Sequence, residues 1–89
     1  MRLDFSGECC ASQAQEIKER LLAALVSGEP VECHFSGMTA ADMSFFELLH
    51  AAKKSFTEKG REIVFTPDLP GEFSREAAWS GWARLLGAG

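Results

Sequence analysis

Three short segments of alternating apolar and polar residues, each followed by a stretch of helical periodicity, constrain this chain more than any other feature. Leu3 and Phe5 alternate with Arg2, Asp4 and Ser6. Val31, Cys33 and Phe35 alternate with Glu32, His34 and Ser36, and Ile63 and Phe65 alternate with Glu62 and Thr66. Val64 is the one apolar residue on the second face of that last segment. A period of two means strands with one apolar and one wetter face. A sheet covered by helices on both sides reads instead as unbroken apolar runs. The helices are therefore expected on one face.

Between these strands, Ile17, Leu21, Ala24 and Leu25 fall on one stripe of a helix predicted from Ser12 to Val26. Ser12 is the expected N-cap, and Gly28 stands where a left-handed C-terminal residue is wanted. Pro30 blocks continuation before the strand at Val31. A second helix is predicted from Met43 to Lys59, with Phe45, Leu48, Leu49, Ala52 and Phe56 as its stripe. Lys53, Lys54 and Lys59 suit the negative end of its dipole, and Gly60 ends it. A third helix is predicted after Ser74, burying some of Ala78, Trp79, Trp82, Leu85 and Leu86. The segment Thr66-Pro67-Asp68-Leu69-Pro70-Gly71 is turn chemistry, not a linker. Strand and helix thus alternate three times, which implies right-handed βαβ crossovers and parallel neighbours. The expected fold class is α/β.

Size and charge bound the function. With 89 residues, 46% of them hydrophobic, the chain has room for one core and is expected to be a single domain over residues 1–89. Thirteen acidic against nine basic side chains give a net charge of −4, which argues against nucleic acid as a partner. No apolar run approaches the ~20 residues of a membrane span, so direct membrane insertion is not expected. Met1-Arg2-Leu3-Asp4 lacks the apolar core of a signal peptide, and a cytoplasmic location is expected. Cys9, Cys10 and Cys33 make no CxxC pair, and neither His34 nor His50 sits at zinc-finger spacing from a cysteine pair. They read as small thiols in a reducing compartment, with no metal and no cofactor expected.

No phosphate loop, GxSxG or HExxH is present. His34 shares its predicted polar face with Asp4, Glu32 and Glu62, from which a small hydrolytic or nucleotide-binding site is conceivable; a solvated sheet face is the more ordinary reading. His50 reads as a surface residue. The informative segment is Ser36-Gly37-Met38-Thr39-Ala40-Ala41-Asp42-Met43-Ser44-Phe45-Phe46-Glu47. It leaves the C-terminal end of a strand and enters a helix, where open α/β sheets carry functional loops. Asp42 suits a helix N-terminus, and Ser44 with Glu47 has capping-box spacing, so either residue can be the cap. Of the neighbouring Met43, Phe45 and Phe46, a helix stripe buries one or two, and the remaining side chain is expected to face outward as a contact.

These residues resemble the sulfate-transporter and anti-sigma-factor-antagonist (STAS) family, in which a strand leads through a short loop to Asp-Ser-Ser-Gly-Leu. A Leu- and Ala-rich helix follows there, and then a Gly before the next strand. The present chain reads Val31-Glu-Cys-His-Phe-Ser-Gly-Met-Thr-Ala-Ala-Asp42-Met-Ser-Phe-Phe-Glu-Leu-Leu-His-Ala-Ala-Lys, then Gly60 before Glu62-Ile-Val-Phe. The layout matches from Leu3 to Leu86. The resemblance implies a mixed, mostly parallel sheet of about four strands with helices on one face. It also implies that Asp42 lies beside the regulatory site and that Met43 stands where many members carry the phosphorylated Ser or Thr. Ser44 then matches the second serine, Phe45 the glycine and Phe46 the leucine. The family's usual first strand, ahead of Leu3, is absent or truncated.

Methionine accepts no phosphoryl group, so the ~1.5–2 negative charges that eject a partner in the family's switch have no place at Met43. The expectation is a non-enzymatic regulatory interaction module that docks through Asp42, Met43, Ser44, Phe45 and Phe46, with Ser44 a residual phosphoacceptor. By resemblance its partner is a kinase-type anti-sigma factor or a related switch protein. The alternative within the fold is a cytoplasmic accessory subunit bound to the ATPase of a phospholipid-type ATP-binding-cassette transporter. The alternative from another class is a small enzyme or nucleotide binder at His34. A homodimer through the Trp79/Trp82 helix or a sheet edge is compatible with the sequence.

Overall fold

The computed structural model describes residues 1–73 together with Gly81. Strand β1 (Arg2–Cys9) leads through a 3-10 turn (Ala11–Gln13) into helix α1 (Ala14–Ser27). Strand β2 (Val31–Ala41), helix α2 (Met43–Glu58), strand β3 (Ile63–Phe65) and a 3-10 turn (Gly71–Phe73) follow. The predicted third helix, with Trp79 and Trp82, lies outside the described residues. The three described strands lie in the order β1-β2-β3 and both pairs are parallel. Successive right-handed crossovers that advance in one direction put both helices on the same face, and α1 and α2 pack against each other. The α/β reading holds, and among the described residues both helices share one face of the sheet. The sheet differs from expectation in having three strands, with no antiparallel pair, among the described residues.

Both helix ends follow local chemistry. The expected cap Ser12 sits inside the 3-10 turn instead, because β1 runs on to Cys9 and the chain turns at Cys10. There the Gln13 side chain reaches back and accepts the Cys10 N–H at 3.1 Å. Gly28 ends α1 at φ +76°, its N–H donating to the Leu25 carbonyl. Helix α2 closes with the Gly60 N–H on the Thr57 carbonyl and the Arg61 N–H on the Phe56 carbonyl at 2.8 Å.

Strand β2 corrects the sequence reading most. The segment Ser36–Ala41, expected to be a loop, continues the strand because Ser6–Cys9 pair with it. The ladder is bulged twice. Between Asp4 and Ser6, β2 advances from His34 to Gly37, and between Gly7 and Glu8 it advances from Met38 to Ala40. Each bulge gives β2 one residue more than β1, and the first shifts the inward phase from Val31, Cys33 and Phe35 to Met38, buried at 3% exposure. Gly7, at the second bulge, has φ +68°. A β-carbon there meets nothing within 4 Å, so the penalty for substitution is purely conformational. Gly7→Ala is expected to lower folding stability by about 1–2 kcal/mol, read from the urea midpoint; an unchanged midpoint would mean that the bulge relaxes.

All seven phenylalanines of the chain are buried in the hydrophobic core. Phe5 stacks on Phe35 at 5.7 Å between centroids, and Phe35 stacks on Phe65 at 6.2 Å. Phe45 meets Phe5, Phe35 and Phe46 edge-on at 5.6, 6.1 and 5.5 Å. This aromatic cluster fixes the first turn of α2 against the sheet.

Candidate functional site

The start of α2 stands at the C-terminal ends of the parallel strands, held by Asp42. Its backbone is extended, and its carboxylate and carbonyl both accept from the Phe45 N–H, at 3.4 and 3.1 Å. Asp42 is therefore the cap, which decides between it and Ser44. The second carboxylate oxygen of Asp42 accepts the Ala11 N–H at 2.9 Å. That contact from the start of α1 carries no sequence signal, because the two residues are 31 positions apart.

The five residues expected to make the contact surface divide sharply. Phe45 and Phe46 are both 0% exposed, so neither reaches a partner; the reading that placed them on the docking surface is corrected. The third and fourth positions of the helix face the sheet once Asp42 sets the start. Met43, at the first position, is 37% exposed, and Ser44 is half-buried beside it. The accessible patch is Met43, with Ser44 and the rim of Asp42.

The second polar cluster lies on the opposite face of the sheet. His34 has both ring nitrogens against carboxylates, Nε2 on Glu32 and Nδ1 on Asp68 at 3.2 Å. Only the doubly protonated ring donates on both sides, and neither nitrogen is left to face a substrate. Of the other carboxylates expected around it, Asp4 pairs with Arg2 at 3.0 Å instead. Asp68 and Thr66 are the residues that the sequence reading missed. Asp68 Oδ1 accepts the Phe35 N–H at 2.9 Å and the Thr66 hydroxyl at 2.8 Å, and its other oxygen takes His34. Burial works to raise the Asp68 carboxyl, but the bonds from Thr66, Phe35 and His34 outweigh it and hold the group below its ordinary range. The segment read as turn chemistry is thus also a clasp on β2.

Cys9 and Cys33 are buried free thiols and Cys10 is half-buried. Burial pushes Cys33 up to about 12, the character of an inert thiol. Among the described residues no group of three or more His, Cys, Asp or Glu is placed to hold a metal ion. No described helix is long and apolar enough to cross a membrane. His50, read as a surface residue, is half-buried on α2.

No curated relative matches the chain. A family model described as "Mlab, STAS domain" matches residues 1–87, nearly the full length, and the chain belongs to the STAS domain family.

Proposed function

We propose that this protein is a non-enzymatic regulatory interaction module that docks a protein partner through the exposed start of α2, without a phosphorylation switch. The observation that carries the reading is Met43, 37% exposed at the first position of a helix whose start Asp42 fixes. A thioether there is apolar and adaptable, suited to a standing contact. A surface that no kinase can charge at Met43 fits a constant subunit better than a partner released by phosphorylation. Of the two partner classes, the ATPase subunit of a phospholipid-type transporter is therefore favoured over a kinase-type anti-sigma factor.

The test is calorimetric titration of the purified ATPase subunit with wild-type protein and with Met43→Asp. Burying a fully exposed methionine stabilises by about 1.5–3 kcal/mol, and Met43 has 37% of its surface left to bury, so loss of that contact alone predicts roughly 3–6-fold weaker binding at an unchanged melting temperature. Wild-type affinity in the variant would overturn the reading. The half-buried Ser44 hydroxyl supports one other version, a switch moved by one residue. Phosphate mapped to Ser44 after incubation with a kinase-type anti-sigma factor would replace the unswitched account with that one.

A further inference from the structure

Cys9 and Ala41 form the last pair of the β1–β2 ladder, so the two strands leave the sheet side by side. Asp42 then bonds to both departing segments, to the Ala11 N–H on one side and the Phe45 N–H on the other. Ala11, followed by Ser12, both exposed, is consequently held at the Asp42 carboxylate that starts α2. Along α2, Glu47 lies one turn from Met43 on the same face. It is exposed and makes no ion pair with any described residue. The lysines of α2 begin at Lys53, ten residues and about 15 Å along the axis from Met43. Among the described residues, the Glu47 carboxylate one turn from the methionine is therefore unmatched.

We infer that the docking surface is a platform built by both helix starts, Ala11–Ser12 and Met43–Glu47, with Asp42 as the positioning residue. It fits a protein surface that presents a lysine or arginine beside an apolar recess. The recess takes Met43, the cation meets Glu47, and Ala11–Ser12 close the rim. The inference rests on the proposed docking at α2 and adds a second element and a partner chemistry to it. A rim charge of this kind acts through steering and salt dependence more than through raw affinity.

Two measurements test it. Amide exchange in Asp42→Ala, which removes both acceptor oxygens, is expected to speed at Ala11 by about tenfold or more while Leu49 is unchanged. Unchanged Ala11 exchange overturns the positioning role. Binding to the purified transporter ATPase subunit is expected to weaken about tenfold in Ser12→Arg and in Glu47→Lys, and the Glu47→Lys complex should lose salt dependence. The Ser12→Arg effect should shrink in the Asp42→Ala background, a coupling that a merely structural aspartate would not produce. If Ser12→Arg and Glu47→Lys bind as wild type while Met43→Asp fails, the platform is overturned and docking at α2 stands. If Met43→Asp also binds as wild type, the docking reading itself falls and this inference falls with it.

Discussion

Phe45→Ala is expected to cost about 3–5 kcal/mol of folding stability, the range for emptying a fully buried aromatic position. Phe45 is 0% exposed and makes three edge-on ring contacts, with Phe5 of β1, Phe35 of β2 and its own neighbour Phe46. One truncation thus unpairs rings from three elements. The surrounding strands are held by their ladder and cannot collapse into the space, so the penalty should sit in the upper part of that range. A domain of this length has roughly 5–13 kcal/mol in total, and the loss is a large fraction of it. Urea unfolding should show a midpoint shift at unchanged slope. A loss below about 1 kcal/mol would mean that the void refills and that the cluster is not the anchor of α2. Met43→Ala, two positions earlier, serves as the contrast and is expected to stay within about 0.5 kcal/mol of wild type, as for an ordinary surface site.

That contrast shows what was legible in the sequence. Alternation at Leu3/Phe5, Val31/Cys33/Phe35 and Ile63/Phe65 placed the three strands, because a half-buried strand prints its faces at a period of two. The stripe of α2 and its stop at Gly60 were legible for the same local reason. The extension of β2 to Ala41 was not: its two bulges exist only because β1 lies alongside, and they break the alternation that would have announced the strand. The stripe already included Phe45, but Met43 and Phe46 could be told apart only once the cap was known. Moving the start from Asp42 to Ser44 turns the helix by two positions, about 200°, and exchanges which side chains face the sheet. The Asp42–Ala11 and Asp68–Phe35 bonds join residues 31 and 33 positions apart, and no periodicity encodes a contact of that kind.

The Asp68 clasp sets the second large effect. In Asp68→Ala the Phe35 N–H loses its acceptor in a part-buried position and His34 Nδ1 loses its carboxylate, while the Thr66 hydroxyl keeps the Cys33 carbonyl at 2.8 Å. A stranded donor of this sort costs about 1–3 kcal/mol. The carboxylate is 31% exposed, so water reaches the site and the lower half of the range applies. Asp68→Asn separates charge from geometry, because its amide oxygen still accepts from Phe35 while the negative charge facing His34 is gone. The pH dependence follows from the depressed carboxyl. The unfolded chain takes up the proton first as pH falls, so the clasp contributes fully above the ordinary aspartate range near pH 4 and is lost as pH drops through the lower folded value. Urea midpoints of wild type should therefore fall more steeply than those of Asp68→Asn between about pH 6 and pH 3. Parallel curves for the two proteins would show that the bonds from Thr66, Phe35 and His34 do not favour the charged form. The clasp would then be a matter of shape, and β2 would hold its outer face by packing alone.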